Sequence, residues 1–268
     1  MANLKNDLAA FIRTPMCTFI MLYKLLEDYP IVALHNRYLG LNTLEEPPKH
    51  MSGGVYCPLD VASQGTWIGL NRDGLMMAIT NQETQSIDKP GRSRGLLALD
   101  VLRECGSSAE AKDYLMDSSI RGFYRPGNFV VADADDAWHV LWDHVSTAWK
   151  IPRGPYAMGV VTMYPGIVMS ERAERVGLDS EMRRKRAFHL LSHYQPASID
   201  RAIEKMKEVS ADHEYGRTTS SICWHSTEFK QTSSTIIAVG SKSAYSRVLY
   251  CVGNACESSF TEHPVLFG

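Results

Sequence analysis

The sequence predicts an α+β fold in which antiparallel sheets are covered on their outer faces by helices. The predicted elements run in the order strands, two helices, strands, two helices and strands. Short turns rather than helical crossovers join most neighbouring strands, which favours antiparallel over parallel pairing. The chain contains no internal repeat and no linker, so we expect a single domain over residues 17–268.

Strands in the first half are marked by apolar runs that end at turn residues. The strands expected here are 17–22, 31–34, 66–71 and 75–80. An Asp-Gly pair at 73–74, between the last two runs, predicts a hairpin. The segment 44–54, which contains prolines and glycines, is expected to be a loop.

Helices are predicted where apolar residues recur at helical spacing. The helices expected are 97–105, a second around 111–115, 171–194 and 199–209, with N-caps at Ser107 and Ser198. The basic run 183–186 within the third helix is expected to face solvent. The remaining strands are expected near 128–133, 138–142, 156–162, 221–225, 234–239 and 248–251.

The composition is that of an ordinary soluble globular protein. Of the 268 residues, 44% are hydrophobic and 22% charged, and the formal net charge is −2. This charge gives no reason to expect nucleic acid as a partner, and no apolar stretch approaches the roughly 20 residues that span a bilayer. Six cysteines without a secretory signal or dense spacing argue against a disulfide framework. We therefore expect a soluble, cytoplasmic protein.

Cys17 is the most informative residue for function. In a chain that starts at Met16, the methionine is readily removed because the next side chain is small, and Cys17 then carries both a thiol and a free α-amine. The amine, with a reference pKa of about 8, can accept the thiol proton near neutral pH. Residues 1–16 are then an N-terminal extension or a pro-segment. If they are retained, Cys17 has no free amine and is an ordinary core cysteine.

The other cysteines raise the question of a metal site. Cys223 and His225, together with Cys251 and Cys256, could supply four soft ligands for zinc. Their spacing matches no standard zinc pattern. The sequence therefore predicts no metal and no cofactor.

Several different short motifs follow one another along the chain. They are Met16-Cys17-Thr18, Asn36-Arg37, and the segments 65–71, 74–81, 92–97, 127–133, 221–225 and 232–237. In this order and spacing they resemble the NRDE proteins, the family of the animal transport and Golgi organisation protein, within the N-terminal-nucleophile hydrolases. Penicillin acyltransferases and choloylglycine hydrolases are similar more distantly. The resemblance implies a four-layer αββα sandwich, with two antiparallel sheets stacked between helical layers.

The resemblance also implies catalytic roles for three residues. Cys17 would attack a carbonyl, and Asn81 would donate its side-chain N–H to the oxyanion, an interaction typically worth about 3–4 kcal/mol. Arg37 would lower the thiol pKa or hold a substrate carboxylate. The residues expected to bind substrate are Asn36, Tyr38, Trp67 and Thr80.

Two positions depart from the family pattern. Tyr38 stands where relatives carry an acidic residue, which in the hydrolase branches orients the amine of the nucleophile. Met163 stands where many relatives have a second asparagine, and a methionine cannot donate a hydrogen bond to an oxyanion.

Two functions remain open at this stage. The first is an amidohydrolase or acyltransferase that acts on a small acylated substrate through a thioester acyl-enzyme, as a monomer or a homo-oligomer. The second is a non-catalytic protein that binds haem or a lipid, a role linked to NRDE proteins. The soft ligands available to haem iron would be Cys17, His35, Cys223 and His225. A purely structural or partner-binding role has no residue signature in this sequence.

Overall fold

A computed structural model describes residues 16–84, 91–227 and 229–267 of the chain. The strands are β1 (Thr18–Tyr23), β2 (Ile31–Gly40), β3 (Glu45–Met51), β4 (Val55–Asp60), β5 (Ile68–Asn71), β6 (Met76–Asn81), β7 (Gly127–Ala132), β8 (Ala137–Trp142), β9 (Ser146–Lys150), β10 (Gly154–Met158), β11 (Phe229–Val239), β12 (Arg247–Val252) and β13 (Thr261–Pro264). The helices are α1 (Arg94–Glu104), α2 (Ser108–Met116), α3 (Ser118–Arg121), α4 (Glu171–Leu191) and α5 (Ile199–Ser210), with a 3₁₀ turn at Ser243–Tyr245.

The strands form two antiparallel sheets stacked face to face. One sheet has six strands in the order β10-β1-β2-β11-β12-β13, and the other has seven in the order β3 to β9. Helices α4 and α5 pack on the outer face of the six-stranded sheet, and α1 and α2 on that of the seven-stranded sheet. The predicted α+β sandwich of four layers is confirmed.

The side chains of β1 point alternately into two different hydrophobic cores. Phe19 and Met21 belong to the core that joins the two sheets, whereas Ile20 and Leu22 belong to the core under α4 and α5. Successive side chains of a strand point to opposite faces, so residues of the same parity share a face. Cys17 has the parity of Phe19 and therefore faces the space between the sheets.

The predicted hairpin at 73–74 is confirmed. Strands β5 and β6 pair antiparallel, with Ile68 opposite Ala78. Gly74 has a φ of 85°, which a residue with a side chain rarely adopts. The side-chain oxygen of Asn71 accepts the backbone N–H groups of Asp73 and Leu75 at 3.0 Å each, which closes the turn. This hairpin carries Asn81 to the edge of the sheet.

Several predicted elements differ from the structure. The expected loop 44–54 contains the whole of β3, an edge strand whose register shifts between Glu46 and Lys49, where the two prolines lie. Edge strands and bulges tolerate proline because its missing N–H leaves no buried partner unpaired. The expected strand 221–225 is irregular, because Cys223 and His225 donate their backbone N–H groups to residues earlier in the same loop. Strands β4, β9 and β13 and the short helix α3 were not predicted.

The predicted N-terminal extension, residues 1–16, lies outside the described residues except for Met16. Among the helices that the structure describes, none is long and apolar enough to cross a lipid bilayer.

Candidate active site

A cleft of about 340 Å³ opens where the two sheets meet near the N-terminal end of β1. Five of the seven residues predicted for the site line it. They are Cys17, Arg37, Trp67, Thr80 and Asn81. Part of the segment that follows Asn81, residues 85–90, lies outside the described residues.

Cys17 lies at the wall of this cleft with only 9% of its surface exposed. Burial raises the pKa of its thiol, although a hydrogen bond from the backbone N–H of Tyr38 and the charge of Arg37 act in the opposite direction. Met16 precedes it in the chain and is also buried, in a small cluster with Tyr38 and Trp224. While Met16 is present, the nitrogen of Cys17 is part of a peptide bond and cannot act as a base.

Arg37 is held in place by three groups on the floor of the cleft. Its two terminal nitrogens form ion pairs with Glu45 and Asp60, and its guanidinium carbon lies 3.9 Å from the centre of the Trp67 ring. Burial raises the pKa of Asp60, but hydrogen bonds from Ser63 and Arg37 outweigh it and keep that pKa below its usual value. Because two carboxylates already neutralise Arg37, a second role in holding a substrate carboxylate does not fit this geometry.

Asn81 is oriented by a charged residue that sequence reasoning missed. The guanidinium of Arg94 donates to the side-chain oxygen of Asn81 and, at 2.5 Å, to the carbonyl of Pro126. The Asn81 amide nitrogen donates to Glu83 at 2.9 Å. Burial lowers the pKa of Arg94 to about 10, so Arg94 stays charged at neutral pH. Because Arg94 holds the carbonyl oxygen and one N–H of Asn81 donates to Glu83, the second N–H remains as a donor for an oxyanion.

Trp67 and Thr80 complete the wall. The hydroxyl of Thr80 donates to the carbonyl of Gly159 at 2.6 Å. The buried indole N–H of Trp67 has no hydrogen-bond partner among the described residues.

Asn36 and Tyr38, which were predicted to bind substrate, do not line the cleft. Both are fully buried on the opposite face of β2, because they have the opposite parity to Arg37. Asn36 donates to the carbonyls of Ser210 and Ile222. The Tyr38 hydroxyl donates to Ile222 at 2.8 Å, and its ring stacks on Trp224 with 4.2 Å between centroids.

Arg183 is a second residue that sequence reasoning missed. It was expected to face solvent but is fully buried, with Nε donating to the Thr18 hydroxyl at 3.0 Å. Its positive charge acts on the Cys17 thiol and favours the thiolate. The signal was present in the sequence, since Arg183 shares the buried stripe of α4 with Ala187 and Leu191.

The soft ligands considered for haem iron do not meet at the cleft. His35 is fully buried and hydrogen-bonds through Nε2 to the carbonyl of Ile79, and burial lowers its pKa to about 4. Cys223 and His225 lie together elsewhere. Met163, at the position of the expected second asparagine, is 65% exposed.

Two stacked antiparallel sheets between helical layers, with a cysteine at the start of a central strand, form the fold of the N-terminal-nucleophile hydrolases. The chain belongs to the family described as Transport and Golgi organisation 2, whose sequence profile matches residues 16–248. No curated protein sequence matches the chain.

Solved structures are similar in fold at low sequence identity. The Caenorhabditis elegans ortholog of N-acylethanolamine-hydrolyzing acid amidase superposes with a TM-score of 0.54 and 12% identity, over 83% of this chain and 92% of that one. Penicillin V acylase from Agrobacterium tumefaciens gives 0.49 and 13%, over 88% and 82%. A C2A mutant of conjugated bile acid hydrolase from Clostridium perfringens gives 0.49 and 10%, over 94% and 97%. At 12% identity, the similarity to the Caenorhabditis elegans protein establishes a shared fold alone.

Proposed function

We propose that the protein is an N-terminal-cysteine amidohydrolase or acyltransferase that acts on a small acylated substrate. The observation that carries this proposal is the convergence of Cys17 and Asn81 on one cleft, at the start of β1 and the end of β6. The family match beginning at Met16, directly before Cys17, supports a functional chain in which Cys17 is the first residue.

The proposed reaction proceeds through a thioester on Cys17. The free α-amine of Cys17 takes the thiol proton, and the sulfur attacks the carbonyl carbon of the amide. The tetrahedral oxyanion accepts a hydrogen bond from the Asn81 amide nitrogen. As the C–N bond breaks, the α-ammonium group returns the proton to the leaving amine. Water or a second amine then attacks the thioester and gives a proton to the α-amine. The α-ammonium group returns this proton to the sulfur as the sulfur leaves the acyl group.

The charges in the cleft favour a substrate with an anionic or strongly polar group. Arg94 and Arg125 line the cleft in addition to Arg37, whose charge is balanced by Glu45 and Asp60. Guanidinium groups bind carboxylates and phosphates in two-point geometry. We therefore expect N-acyl amides with a carboxylate to be better substrates than neutral analogues of the same length.

A second candidate function is supported by one observation. Met16 is buried against Cys17, which suits a chain in which the segment before Cys17 is retained. In that form the thiol has a raised pKa and no adjacent amine. The same cleft would then bind an apolar ligand such as haem or a lipid without catalysing a reaction.

The decisive experiment compares two forms of the protein. One begins at Cys17, made by cleaving a tag directly before that residue and verified by intact mass, and the other retains residues 1–16. We expect hydrolysis of N-acyl amides by the first form only, and loss of hydrolysis in its Cys17→Ser variant. Cys105→Ser, at the end of α1, is the matched control. Equal rates in the two forms, or none in either, would overturn the catalytic proposal.

A further inference from the structure

Four side chains that could bind a metal meet outside the candidate active site. His213 follows α5, Cys223 and His225 lie in the loop that comes next, and Cys256 lies beyond β12. Their ligand atoms all lie within 4.8 Å of one another. None of the four lines the cleft described above.

The distances match those around a small tetrahedral ion. The Nε2 atoms of His213 and His225 are 3.0 Å apart, and His225 Nε2 lies 3.4 Å from Cys256 Sγ and 3.9 Å from Cys223 Sγ. Zinc binds nitrogen at about 2.0–2.1 Å and sulfur at about 2.3 Å, so tetrahedral ligand atoms lie about 3.3–3.8 Å from one another. A central ion would shift these three pairs by a few tenths of an ångström, and the widest pair of the cluster, at up to 4.8 Å, by about 1 Å.

The surroundings of His225 also suit a metal ligand. Histidines that bind a metal through one nitrogen usually donate the other N–H to a carboxylate or carbonyl. The Nδ1 atom of His225 lies 3.9 Å from a carboxylate oxygen of Glu257, which Arg217 pairs at 3.0 Å. The side-chain amide of Asn254 lies 2.8 Å from the same nitrogen, and rotating it presents an oxygen acceptor.

We propose that His213, Cys223, His225 and Cys256 bind one zinc ion in a closed, structural site. Two nitrogens and two sulfurs in a tetrahedron are the donor set that selects zinc. Binding releases the two thiol protons to solvent, and the two thiolates balance the charge of the ion, which makes burial of Cys223 acceptable. With four protein ligands, the ion has no open position for a substrate.

A zinc ion would stabilise a part of the chain that has little regular structure. The residues from 211 to 227 contain no helix or strand. Backbone hydrogen bonds fold this loop on itself, from Cys223 to Asp212 at 3.0 Å and from His225 to Arg217 at 3.1 Å. The ion would join this loop to the segment after β12, which holds Cys256.

This proposal departs from the sequence-based expectation of no metal. The spacing rule could not find this cluster because His213 was not among the residues considered. Cys251, which was considered, is not one of the four. Three of the side chains come from the loop 211–227 and one from the segment after β12, which only the folded chain brings together.

The test uses the full chain, expressed with zinc supplied and purified under reducing conditions. We expect one zinc ion per chain by elemental mass spectrometry. After chelation, added cobalt(II) should give the visible absorption of a tetrahedral site and a thiolate charge-transfer band in the near ultraviolet. Cys256→Ala and His213→Ala, both at accessible positions, should lose the metal and these bands while retaining the circular dichroism of the fold. Cys251→Ala is the matched control and should retain the metal, the cobalt bands and the circular dichroism of the fold.

Three results would overturn the proposal. The first is a folded wild-type chain that binds neither zinc nor cobalt. The second is a cobalt spectrum that Cys256→Ala leaves unchanged. The third is a metal-free protein in which mass spectrometry finds a disulfide between Cys223 and Cys256.

Discussion

The guanidinium of Arg37 stacks on the indole of Trp67, with 3.9 Å between the guanidinium carbon and the ring centre. The same guanidinium is paired with Glu45 and Asp60, so four side chains from four strands or loops form one unit under the cleft. Arginine combines stacking and paired hydrogen bonds in a way that lysine cannot. This unit fixes the floor beside Cys17.

Replacing Arg37 should therefore be costly for stability. Arg37→Leu leaves two largely buried carboxylates without a cation, and breaking a buried pair costs about 3–5 kcal/mol. We expect a loss of that size in the free energy of unfolding, measured in urea. Arg175→Leu, which removes an exposed pair with Glu171, is the control and should cost less than about 1 kcal/mol. Equal losses in the two variants would show that the unit is not a structural element.

Asn81→Ala tests the oxyanion role in the form that begins at Cys17. Removing one such donor costs about 10²–10³ in kcat, with little change in KM, because the interaction forms mainly in the transition state. Steady-state kinetics on an N-acyl amide measures this split. Asn42→Ala, at an exposed turn, should leave both constants unchanged. An effect on KM alone would assign Asn81 to substrate binding.

Tyr38→Phe separates the structural role of Tyr38 from a catalytic one. The hydroxyl donates to the Ile222 carbonyl and accepts the Trp224 backbone N–H at 3.1 Å, and both partners are buried. We expect the free energy of unfolding to fall by about 1–3 kcal/mol. Turnover per folded molecule should be unchanged. A fall in kcat without a loss of stability would show that the Tyr38 hydroxyl takes part in catalysis.

His139 should make the protein sensitive to acid. Burial lowers its pKa to about 3, whereas the unfolded chain binds the proton near 6.5. The unfolded state therefore gains protons first as pH falls, and stability is lost progressively from about pH 6.5 down to about 3. The ring is held neutral between the Tyr156 hydroxyl at 2.5 Å and Asn128 at 3.1 Å.

The test of this effect is the pH dependence of unfolding in His139→Gln. Its free energy of unfolding should change less between about pH 7 and pH 4 than that of the wild type, by a few kcal/mol. Parallel pH profiles for the two proteins would mean that His139 does not contribute to acid sensitivity.

Local patterns were enough to predict antiparallel sheets with helices on their outer faces, and the family resemblance implied the four layers. Alternation and the Asp-Gly turn placed β5 and β6, and apolar stripes placed the helices. The edge strand β3 was missed because two prolines in a bulge give the local signal of a loop. Such a strand is specified by its pairing with β4, which local sequence does not encode.

The site was predicted less completely than the fold. Cys17 and Asn81 were found because each lies at the end of a strand that has a family motif. Asn36 and Tyr38 were also predicted for the site but do not line the cleft, because the sequence motif does not reveal which face of β2 looks into it. That parity follows from the register of β1 and β2, in which Thr18 pairs with Asn36. Arg94 was missed because its contact with Asn81 depends on how α1 packs.

The central claim is that Cys17, as the first residue, is acylated by an amide or ester substrate. The most direct measurement mixes the form that begins at Cys17 with one activated acyl ester and follows the intact mass with time. A thioester on a first-residue cysteine passes to its own α-amine on denaturation, so the label remains on residue 17 during peptide mapping.

We predict one acyl group on residue 17, added faster than in the urea-denatured chain and more slowly in Asn81→Ala. The form that retains Met16 should take up none at this residue. The account would be contradicted by labelling at the same rate in native, denatured and Asn81→Ala protein, or by a native protein that remains unlabelled at residue 17.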